Sequence, residues 1–336
     1  MRLIWKIVLW VIGILIGLVL AGWVAFQVSP YPSALLIRQM FNQPVAITDQ
    51  KKYKEAQDNV TVTKDLIYPS KYKSNQFDLY LPKLVTEKIP IIVWAHGGGF
   101  VGGDKSGMKE FATYLAADTQ VAVVAMNYQV APDLNYPGQL EQMGELVTYL
   151  KKATSQYPQL DLQRVFVGGD SAGAQIAGQY ALVQTNNAYA QQNHFTQTLD
   201  AKDLRGFLSY CGPVNLVQVL DKKSTNKLMN WFVQSVGWSL VGTKDWQNTP
   251  ELRQASLVEH LTSAFPPAYI TDGNAYSFSD EGQTMVKKLE QKQVAVTSLF
   301  FEDSSKEVSH EYQFHYNTKE AKLAYDQTKT FIEINK

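Results

Sequence analysis

Residues 169–173 read G-D-S-A-G, and this stretch decides the fold of a chain of 336 residues. It follows a short apolar run at residues 165–167 and precedes a helix-like pattern at residues 174–181. A strand, a G-x-S-x-G turn and a helix together lift a serine hydroxyl clear of the edge of a sheet. The pattern therefore predicts that Ser171 is a nucleophile, which needs a base, an acid and an oxyanion site elsewhere in the chain.

A second glycine-rich stretch follows a predicted buried strand at residues 91–95. Residues 96–99 read H-G-G-G, and three consecutive glycines expose backbone N–H groups while letting a substrate approach closely. A flexible loop would have the same composition, but the serine turn later in the chain favours an oxyanion site. We predict that the N–H groups of Gly98, Gly99 and Ala172 stabilise the negative oxygen of a tetrahedral intermediate.

With these motifs, the chain resembles the α/β-hydrolases, and within them the H-G-G-G esterases of the hormone-sensitive lipase type. Residues 127–132, N-Y-Q-V-A-P, are similar to the family's N-Y-R-L-A-P, with Gln129 where arginine is usual. Residues 136–141, Y-P-G-Q-L-E, resemble its F-P-A-x-x-E. The resemblance runs from about residue 77 to the C-terminus and implies a serine hydrolase.

The base is sought among five histidines, and the hydrolase chain order of serine, acid and histidine points to those near the C-terminus. His310 and His315 follow the last predicted strand, at residues 296–301. Residues 309–314, S-H-E-Y-Q-F, resemble the family's H-G-F loop. The resemblance favours His310 as the base, with His315 as the alternative. His96 is expected to shape the oxyanion loop instead.

The acid departs from the family pattern. Residues 280–282 match the end of the family's D-P-L-x-D-E-G segment, which places Tyr276 where its acid is expected. Tyrosine is uncharged at neutral pH. We predict that Asp272 replaces it, because Asp272 directly follows the apolar strand at residues 268–270 and an acid there would orient the imidazole. A turn residue would occupy the same position. The open alternatives are Asp280, Glu281, Glu302 and Asp303.

The composition limits the classes of partner and cofactor that the protein is expected to bind. The chain has 31 basic and 31 acidic residues, so nothing indicates a polyanionic partner, and we expect no nucleic acid. The single cysteine, Cys211, excludes an internal disulfide and is predicted to be a core residue. Neither the ligand spacing of a metal site nor a nucleotide-binding fingerprint is present, so we expect no metal and no cofactor.

The N-terminus predicts a membrane anchor at residues 1–28. Residues 7–28 carry no charge, and these 22 residues are enough to cross a hydrocarbon layer of about 30 Å. Arg2 and Lys6 precede them, so the positive-inside rule places the N-terminus in the cytoplasm and the body outside. A cleaved signal peptide is the alternative, although its apolar core is usually shorter, about 7–15 residues. We expect a single-pass membrane protein with an extracytoplasmic catalytic domain.

The rest of the chain divides into two parts. Residues 29–59 are interpreted as a linker, part of which packs over the site. Residues 60–336 form the predicted catalytic domain, in which strands and helices alternate from residue 91 and so indicate an α/β fold with a mainly parallel sheet covered on both faces. Residues 213–264 show no clear strand and are predicted to form a helical cap rich in aromatic side chains.

These patterns predict a serine carboxylesterase that hydrolyses small or medium acyl esters. Ser171 would attack the carbonyl, His310 would transfer the proton, and Asp272 would orient His310. An amidase or formamidase would use the same residues and is not distinguished by the sequence. A non-catalytic surface binding protein on the same scaffold is the other alternative, and Tyr276 is the feature that supports it.

Overall fold

The computed structural model describes residues 2–221, 226–302 and 304–336, so Asp303, one of the alternative acids, lies outside the described residues. Within those ranges eight strands form one sheet: β1 (Val60–Ile67), β2 (Gln76–Pro82), β3 (Ile89–Ala95), β4 (Ala122–Met126), β5 (Leu160–Asp170), β6 (Leu204–Tyr210), β7 (Ala268–Thr271) and β8 (Val296–Leu299). The α-helices of the same ranges are α1 (Arg2–Val28), α2 (Tyr31–Phe41), α3 (Gln50–Gln57), α4 (Lys109–Thr119), α5 (Gly138–Lys152), α6 (Ala172–Thr185), α7 (Asn187–Gln192), α8 (Leu216–Asp221), α9 (Lys227–Val241), α10 (Pro250–Gln254), α11 (Ser279–Gln291) and α12 (Lys319–Asn335).

The strand order is β1-β2-β4-β3-β5-β6-β7-β8. β1 and β2 are antiparallel to each other, β2 is antiparallel to β4, and every other pair is parallel. The predicted α/β fold with a mainly parallel sheet is confirmed. The central strands β3 and β4 are buried along their whole length, as expected of parallel strands that are covered on both faces.

Two apolar layers pack on the sheet, one on each face. Alternate residues of β3 divide between them, because successive side chains of a strand point to opposite faces. Ile91 and Val93 join the layer that contains α5 and α6, whereas Ile92 and Trp94 join the layer that contains α4 and α12. The carboxyl ends of β3, β5, β6 and β7 therefore meet at one edge of a fully covered sheet, where the predicted site residues follow them.

The segment at residues 29–59 differs from the predicted linker, because it folds into α2 and α3. α2 buries Ala34 and Ile37 against Val101 and Ala131 of the catalytic domain. The spacing of three residues between Ala34 and Ile37 puts them on one face of a helix. α3 begins at Gln50, and the preceding Asp49 caps it, because its side chain accepts a hydrogen bond from the Lys52 N–H at 3.0 Å.

The region between β6 and β7 forms the short helices α8 and α10 and the longer α9. Gly237 of α9 lies so close to the ring of Trp246 that a Cβ atom at this position would overlap it. Trp246 is therefore a structural residue of this region. Phe232 of α9 meets Phe41 of α2 edge to face, with 6.1 Å between ring centroids. α2 and α9 are thus packed together above the sheet.

α1 precedes the catalytic domain as one apolar helix of 27 residues, and all of its described side chains lie outside the core. Among the described residues it is the helix with the length and the apolar composition that crossing a membrane requires. A signal sequence has the same properties. At 1.5 Å per residue it measures about 40 Å, which exceeds the hydrocarbon layer of a bilayer.

A buried ion pair joins the first two strands of the sheet, and its contribution to stability can be tested by mutation. The Lys105 ammonium lies 2.7 Å from Asp78 Oδ1 and 2.7 Å from Asp65 Oδ1, and Lys105 and Asp78 are almost completely buried. Lys105→Ala would leave the Asp78 carboxylate buried without its cation, so we expect a loss of about 3–5 kcal/mol in the free energy of unfolding. Denaturant unfolding followed by tryptophan fluorescence measures the loss.

Lys71→Ala is the matched control, because Lys71 forms an exposed pair with Glu141 at 2.8 Å. An exposed pair contributes about 0–1 kcal/mol. Equal losses in the two variants would contradict the importance of the buried pair.

Candidate active site

Ser171 lies in a sharp turn between the end of β5 and the start of α6, with φ at +49°. Its N–H donates to the Tyr210 carbonyl at 2.8 Å, which ties the turn to the end of β6. A Cβ atom on Gly173 would overlap the carbonyl oxygen of Ala95, and one on Gly169 would overlap the backbone of Gly173. Both glycines of the motif are therefore required by the close approach of neighbouring backbones.

Asp170 connects the serine turn to the glycine loop. One carboxylate oxygen accepts a hydrogen bond from Trp94 Nε1 at 2.8 Å, and the other accepts from the Gly97 N–H at 2.7 Å. Burial raises the pKa of Asp170 to about 6, although both hydrogen bonds favour its charged form. The motif displayed this residue, but its role was not predicted, because its partners lie more than 70 positions earlier in the chain.

The glycine loop follows β3 and turns back on itself. Gly98 has φ at +116° and Gly99 has φ at +59°, in the region that favours glycine. A Cβ atom on Gly98 would overlap the carbonyl of Gly102. The N–H of Gly102 in turn donates a hydrogen bond to the Gly98 carbonyl oxygen at 3.0 Å. Gly99 and Ala172 line the cavity onto which Ser171 opens, whereas Gly98 forms the turn behind them.

His96 is buried beneath this loop. Its ring stacks on Tyr128 with 4.4 Å between centroids, and its Nδ1 lies 2.6 Å from the Gly97 carbonyl oxygen. The Tyr128 hydroxyl donates to the His96 carbonyl at 2.8 Å. Burial lowers the pKa of His96, so the ring is neutral at pH 7. These contacts hold the loop in place, as expected from the sequence.

His310 is the histidine that reaches the serine. Its Nε2 lies 3.0 Å from Ser171 Oγ, within hydrogen-bond distance. Burial lowers the pKa of His310 to about 4, so the imidazole is neutral at pH 7 and free to accept a proton. The Phe278 ring packs edge to face with the His310 ring, with 5.6 Å between ring centroids. His315, the alternative base, is exposed beyond a short 3₁₀ turn.

Asp272 is the first residue after β7, and its side chain is buried. Its Oδ1 lies 3.9 Å from His310 Nδ1, which is longer than a hydrogen bond. The carboxylate also accepts hydrogen bonds from the N–H groups of Gly273 and Phe278, each at 2.7 Å. Asp272 therefore has both the position expected of an acid and the local hydrogen bond expected of a turn residue.

The other acidic candidates lie further along the chain. Asp280 and Glu281 are in the first turn of α11, where Asp280 is exposed and Glu281 is buried. Glu302 accepts a hydrogen bond from Gln283. Tyr276, in the position usual for the family's acid, has φ at +54°, is 69% exposed and lies at the rim of the cavity.

Asn274 braces the histidine loop, a role that the sequence did not reveal. Its amide nitrogen donates to the carbonyls of Phe301 and Lys306 at 3.0 and 3.1 Å. Its amide oxygen accepts from the Val308 N–H at 2.8 Å. The His310 N–H then donates to the Ala275 carbonyl at 3.0 Å. The loops that carry Asp272 and His310 are thus joined to each other.

Glu311, next to the histidine, was also missed. Its carboxyl points under the glycine loop, because a Cβ atom on Gly97 would lie 2.9 Å from Glu311 Oε1 and would overlap Asp170 Oδ2. Burial and the nearby carboxylates of Asp170 and Asp272 raise the pKa of Glu311 to about 8. A neutral Glu311 at pH 7 avoids a third buried negative charge at this site.

Cys211, Asp272 and His310 form a cluster of possible metal-binding atoms, all within 4.8 Å of one another. The thiol is fully buried, and burial raises its pKa well above the usual range. Thiolate is the form that binds metals, so this environment disfavours coordination. The prediction of no metal stays a prediction.

A largely apolar cavity of about 430 Å³ lies above Ser171 and His310. Its walls come from α2, from α9 and from the loop after β7. The described residues that line it include Met40, Phe41, Leu228, Phe232, Leu240 and Tyr276. The contribution of α2 was not predicted in detail, because no motif marks it.

Comparison with known proteins gives relatives for this arrangement. Residues 92–311, well over half of the chain, match a family model described as the alpha/beta hydrolase fold. "Probable carboxylesterase 6" of Arabidopsis thaliana is 38% identical over 112 residues, which are 31% of this chain and 33% of that protein. "Carboxylesterase 20" of the same plant is 31% identical over 130 residues, 35% of this chain and 39% of that protein. The matches thus span between a third and two fifths of the plant proteins.

A solved structure extends the likeness to almost the whole fold. Esterase B from Lactobacillus rhamnosis has a TM-score of 0.67, and the alignment covers 96% of each chain. At 18% sequence identity this likeness concerns the fold. The chain therefore belongs to the α/β-hydrolase family, as its motifs predicted.

Proposed function

We propose that the protein is a serine carboxylesterase that hydrolyses small or medium acyl esters. The observation that carries this proposal is the distance of 3.0 Å between His310 Nε2 and Ser171 Oγ at the base of an apolar cavity. A neutral imidazole at this distance removes the hydroxyl proton as the oxygen attacks a carbonyl carbon. The carboxylesterase names of the plant relatives agree with this chemistry.

The reaction proceeds in two steps. Ser171 Oγ attacks the ester carbonyl, and His310 accepts the proton and then donates it to the leaving alcohol. Water next attacks the acyl carbon of the acyl-enzyme while His310 accepts a proton from it. His310 returns this proton to Ser171 Oγ as the bond between Oγ and the acyl carbon breaks and the carboxylic acid leaves. Asp272 stabilises the imidazolium that forms in each step. Its present distance of 3.9 Å from His310 Nδ1 shortens when the imidazole becomes charged, because apo-enzyme contacts of this kind are often long.

The negative oxygen of each tetrahedral intermediate is assigned to the N–H groups of Gly98, Gly99 and Ala172. The positive φ angles of both glycines and the start of α6 at Ala172 support this assignment. Backbone donors at a helix start need no rearrangement when the charge develops.

The cavity favours an apolar acyl chain. Its volume of about 430 Å³ falls within the range of about 300–1,000 Å³ that is usual for small-molecule sites. Phe41, Phe232 and Leu240 supply apolar walls, so an acyl group gains free energy by leaving water.

We also propose that α1 is retained as a membrane anchor, with the catalytic domain outside the cytoplasm. The uncharged residues 7–28, preceded by Arg2 and Lys6, support this orientation. Trp23 and Phe26, near the end of α1, are suited to the interface between lipid and water.

Ser171→Ala and Asp272→Asn test the catalytic assignment in the full chain, with p-nitrophenyl butyrate as substrate. Loss of the nucleophile or of the acid should lower kcat by roughly four orders of magnitude or more. A fluorophosphonate probe should label the parent protein and not the Ser171→Ala variant. Asp326→Asn is the matched control, because Asp326 forms a surface pair with Lys329 at 3.0 Å.

The same experiment separates the alternatives. Full activity in Asp272→Asn would move the acid to Asp280 or Glu281. A parent protein that cleaves anilides faster than esters would be an amidase. Absence of both labelling and hydrolysis would favour the non-catalytic binding protein.

The pH dependence follows from the buried histidine. The base must be neutral, and burial lowers its pKa from the usual value near 6.5 to about 4. We therefore expect kcat/KM to stay constant from pH 7 to about pH 5 and to fall below about pH 4 as His310 becomes protonated. Brief assays followed by return to pH 7 exclude unfolding as the cause. A midpoint near 6.5 would contradict the buried environment of His310.

Retention of α1 is tested by the mass and the location of the mature protein. The intact chain has a mass of 37.8 kDa and should remain in membranes after washing with alkaline carbonate. External protease should degrade the catalytic domain in intact cells. A shorter protein released into the medium would instead identify a cleaved signal peptide.

A further inference from the structure

α2 presents an apolar surface that the catalytic domain does not cover. Leu35 and Leu36 are 54% and 49% exposed, and Met40 is 68% exposed. Leu35 and Leu36 lie on the face of α2 opposite to the buried Ala34 and Ile37, and Met40 follows Leu36 by one turn at the edge of that face. We call Leu35, Leu36 and Met40 the outer face of α2. Contiguous exposed leucine and methionine side chains mark an interaction surface.

The inner side of α2 is fixed to the protein, so the outer face is held in one orientation. Arg38 Nε donates to the Val101 carbonyl at 2.7 Å, and its Nη2 donates to the Ala131 carbonyl at 3.0 Å. Nη2 also lies 2.9 Å from Asp133 Oδ2. Arg38 is the only charged residue between Lys6 and Asp49. With its charge directed inward, α2 offers apolar and uncharged polar groups on its outer side.

The outer face of α2 comes directly after the apolar helix α1 in the chain. α1 ends at Val28, and α2 begins three residues later at Tyr31. The two helices contact each other. The Lys244 ammonium lies 3.2 Å from the carbonyl oxygen of Gln27 and 5.4 Å from the centre of the Trp238 ring. A lysine beside an aromatic ring at the end of an apolar helix is typical of the level of lipid headgroups.

The mouth of the cavity lies beside the same surface. Met40, Leu228 and Tyr276 line the cavity and are each more than two-thirds exposed, so they mark its opening. Met40 belongs both to the opening and to the outer face of α2. A molecule whose acyl chain lies in a layer against α2 would therefore reach Ser171 between α2 and α9.

We propose that the outer face of α2 docks on the bilayer that holds α1, and that the cavity takes its acyl chain directly from a lipid ester dissolved in that bilayer. This inference rests on the proposed esterase function and on the proposed retention of α1, and it names the substrate class. The position of this exposed apolar face directly after α1 selects a bilayer, because the preceding helix would not bring a soluble partner to this surface.

A depth measurement tests docking without reference to activity. The single Cys211 is fully buried, so a spin label will react selectively with a Leu36→Cys variant of the full chain in phosphatidylcholine vesicles. We expect the label to collide readily with oxygen and poorly with a water-soluble nickel chelate. A label on Leu84→Cys, at an exposed position in the loop after β2, should show the reverse. Free access of the nickel chelate to position 36 would overturn the proposal, and so would shielding from both reagents, which would indicate a second copy of the chain.

An activity measurement tests the supply of substrate. The double variant Leu35→Glu/Leu36→Glu should lose about tenfold or more in the hydrolysis of p-nitrophenyl decanoate, a medium-chain ester that dissolves in the vesicles, because charged side chains oppose interfacial binding. It should keep its kcat/KM for water-soluble p-nitrophenyl butyrate, since neither leucine lines the cavity. Ile67→Glu/Leu84→Glu, at two exposed positions elsewhere, is the matched control.

The outcomes separate this inference from the proposed function. Equal rates on the vesicle-borne ester for both double variants would overturn supply from the bilayer, even with esterase activity intact. If the parent chain hydrolyses neither ester, both the proposed function and the supply of substrate from the bilayer are overturned. The spin label would still decide whether α2 meets the bilayer.

Discussion

The Asp170 carboxylate holds together the two loops on which the rest of the site depends. It accepts hydrogen bonds from Trp94 Nε1 at 2.8 Å and from the Gly97 N–H at 2.7 Å, so the serine turn and the glycine loop cannot separate without leaving it unpaired. An unpaired buried carboxylate is costly, which makes the arrangement rigid. With Gly173 in contact with Ala95, the ends of β5 and β3 have one relative position, and the cavity above Ser171 is built upon it.

Much of this arrangement was predictable because its signals are local. The buried strands and the glycine motifs can each be recognised from a few adjacent residues. The chain order of serine and histidine in hydrolases then favours His310 as the base. The helix at residues 31–41 was not predicted. Its apolar side chains do not fall on a single face, because Leu35 and Leu36 are exposed whereas Ile37 is buried. What orders the helix is the fit of Ile37 and Arg38 to residues 101 and 131, which lie far away in the sequence. Tertiary contacts of this kind leave no local pattern.

The acid shows where sequence reasoning reaches its limit. Tyr276 occupies the expected position, yet the backbone of the loop curls around Asp272, whose carboxylate accepts from the Phe278 N–H at 2.7 Å. The shape of that loop depends on Asn274, which bonds to Phe301 and to the segment before His310. A single sequence carries no information about such a brace. Asp272 as the acid, and the oxyanion donors, remain predictions, although the distance from Asp272 to His310 is favourable for a small rearrangement.

The junction between α1 and α2 has a mechanical consequence. The Ser29 N–H donates to the Ala25 carbonyl at 3.1 Å, and the Ala34 N–H donates to the Pro30 carbonyl at 2.9 Å, so folded backbone rather than a slack tether joins the two helices. An apolar helix of about 40 Å tilts to fit the bilayer around it. Because Arg38 fixes α2 to the catalytic domain, a retained α1 would pass a change of tilt on to the domain as a whole. The thickness of the surrounding lipid would then set the angle at which the opening of the cavity faces the membrane.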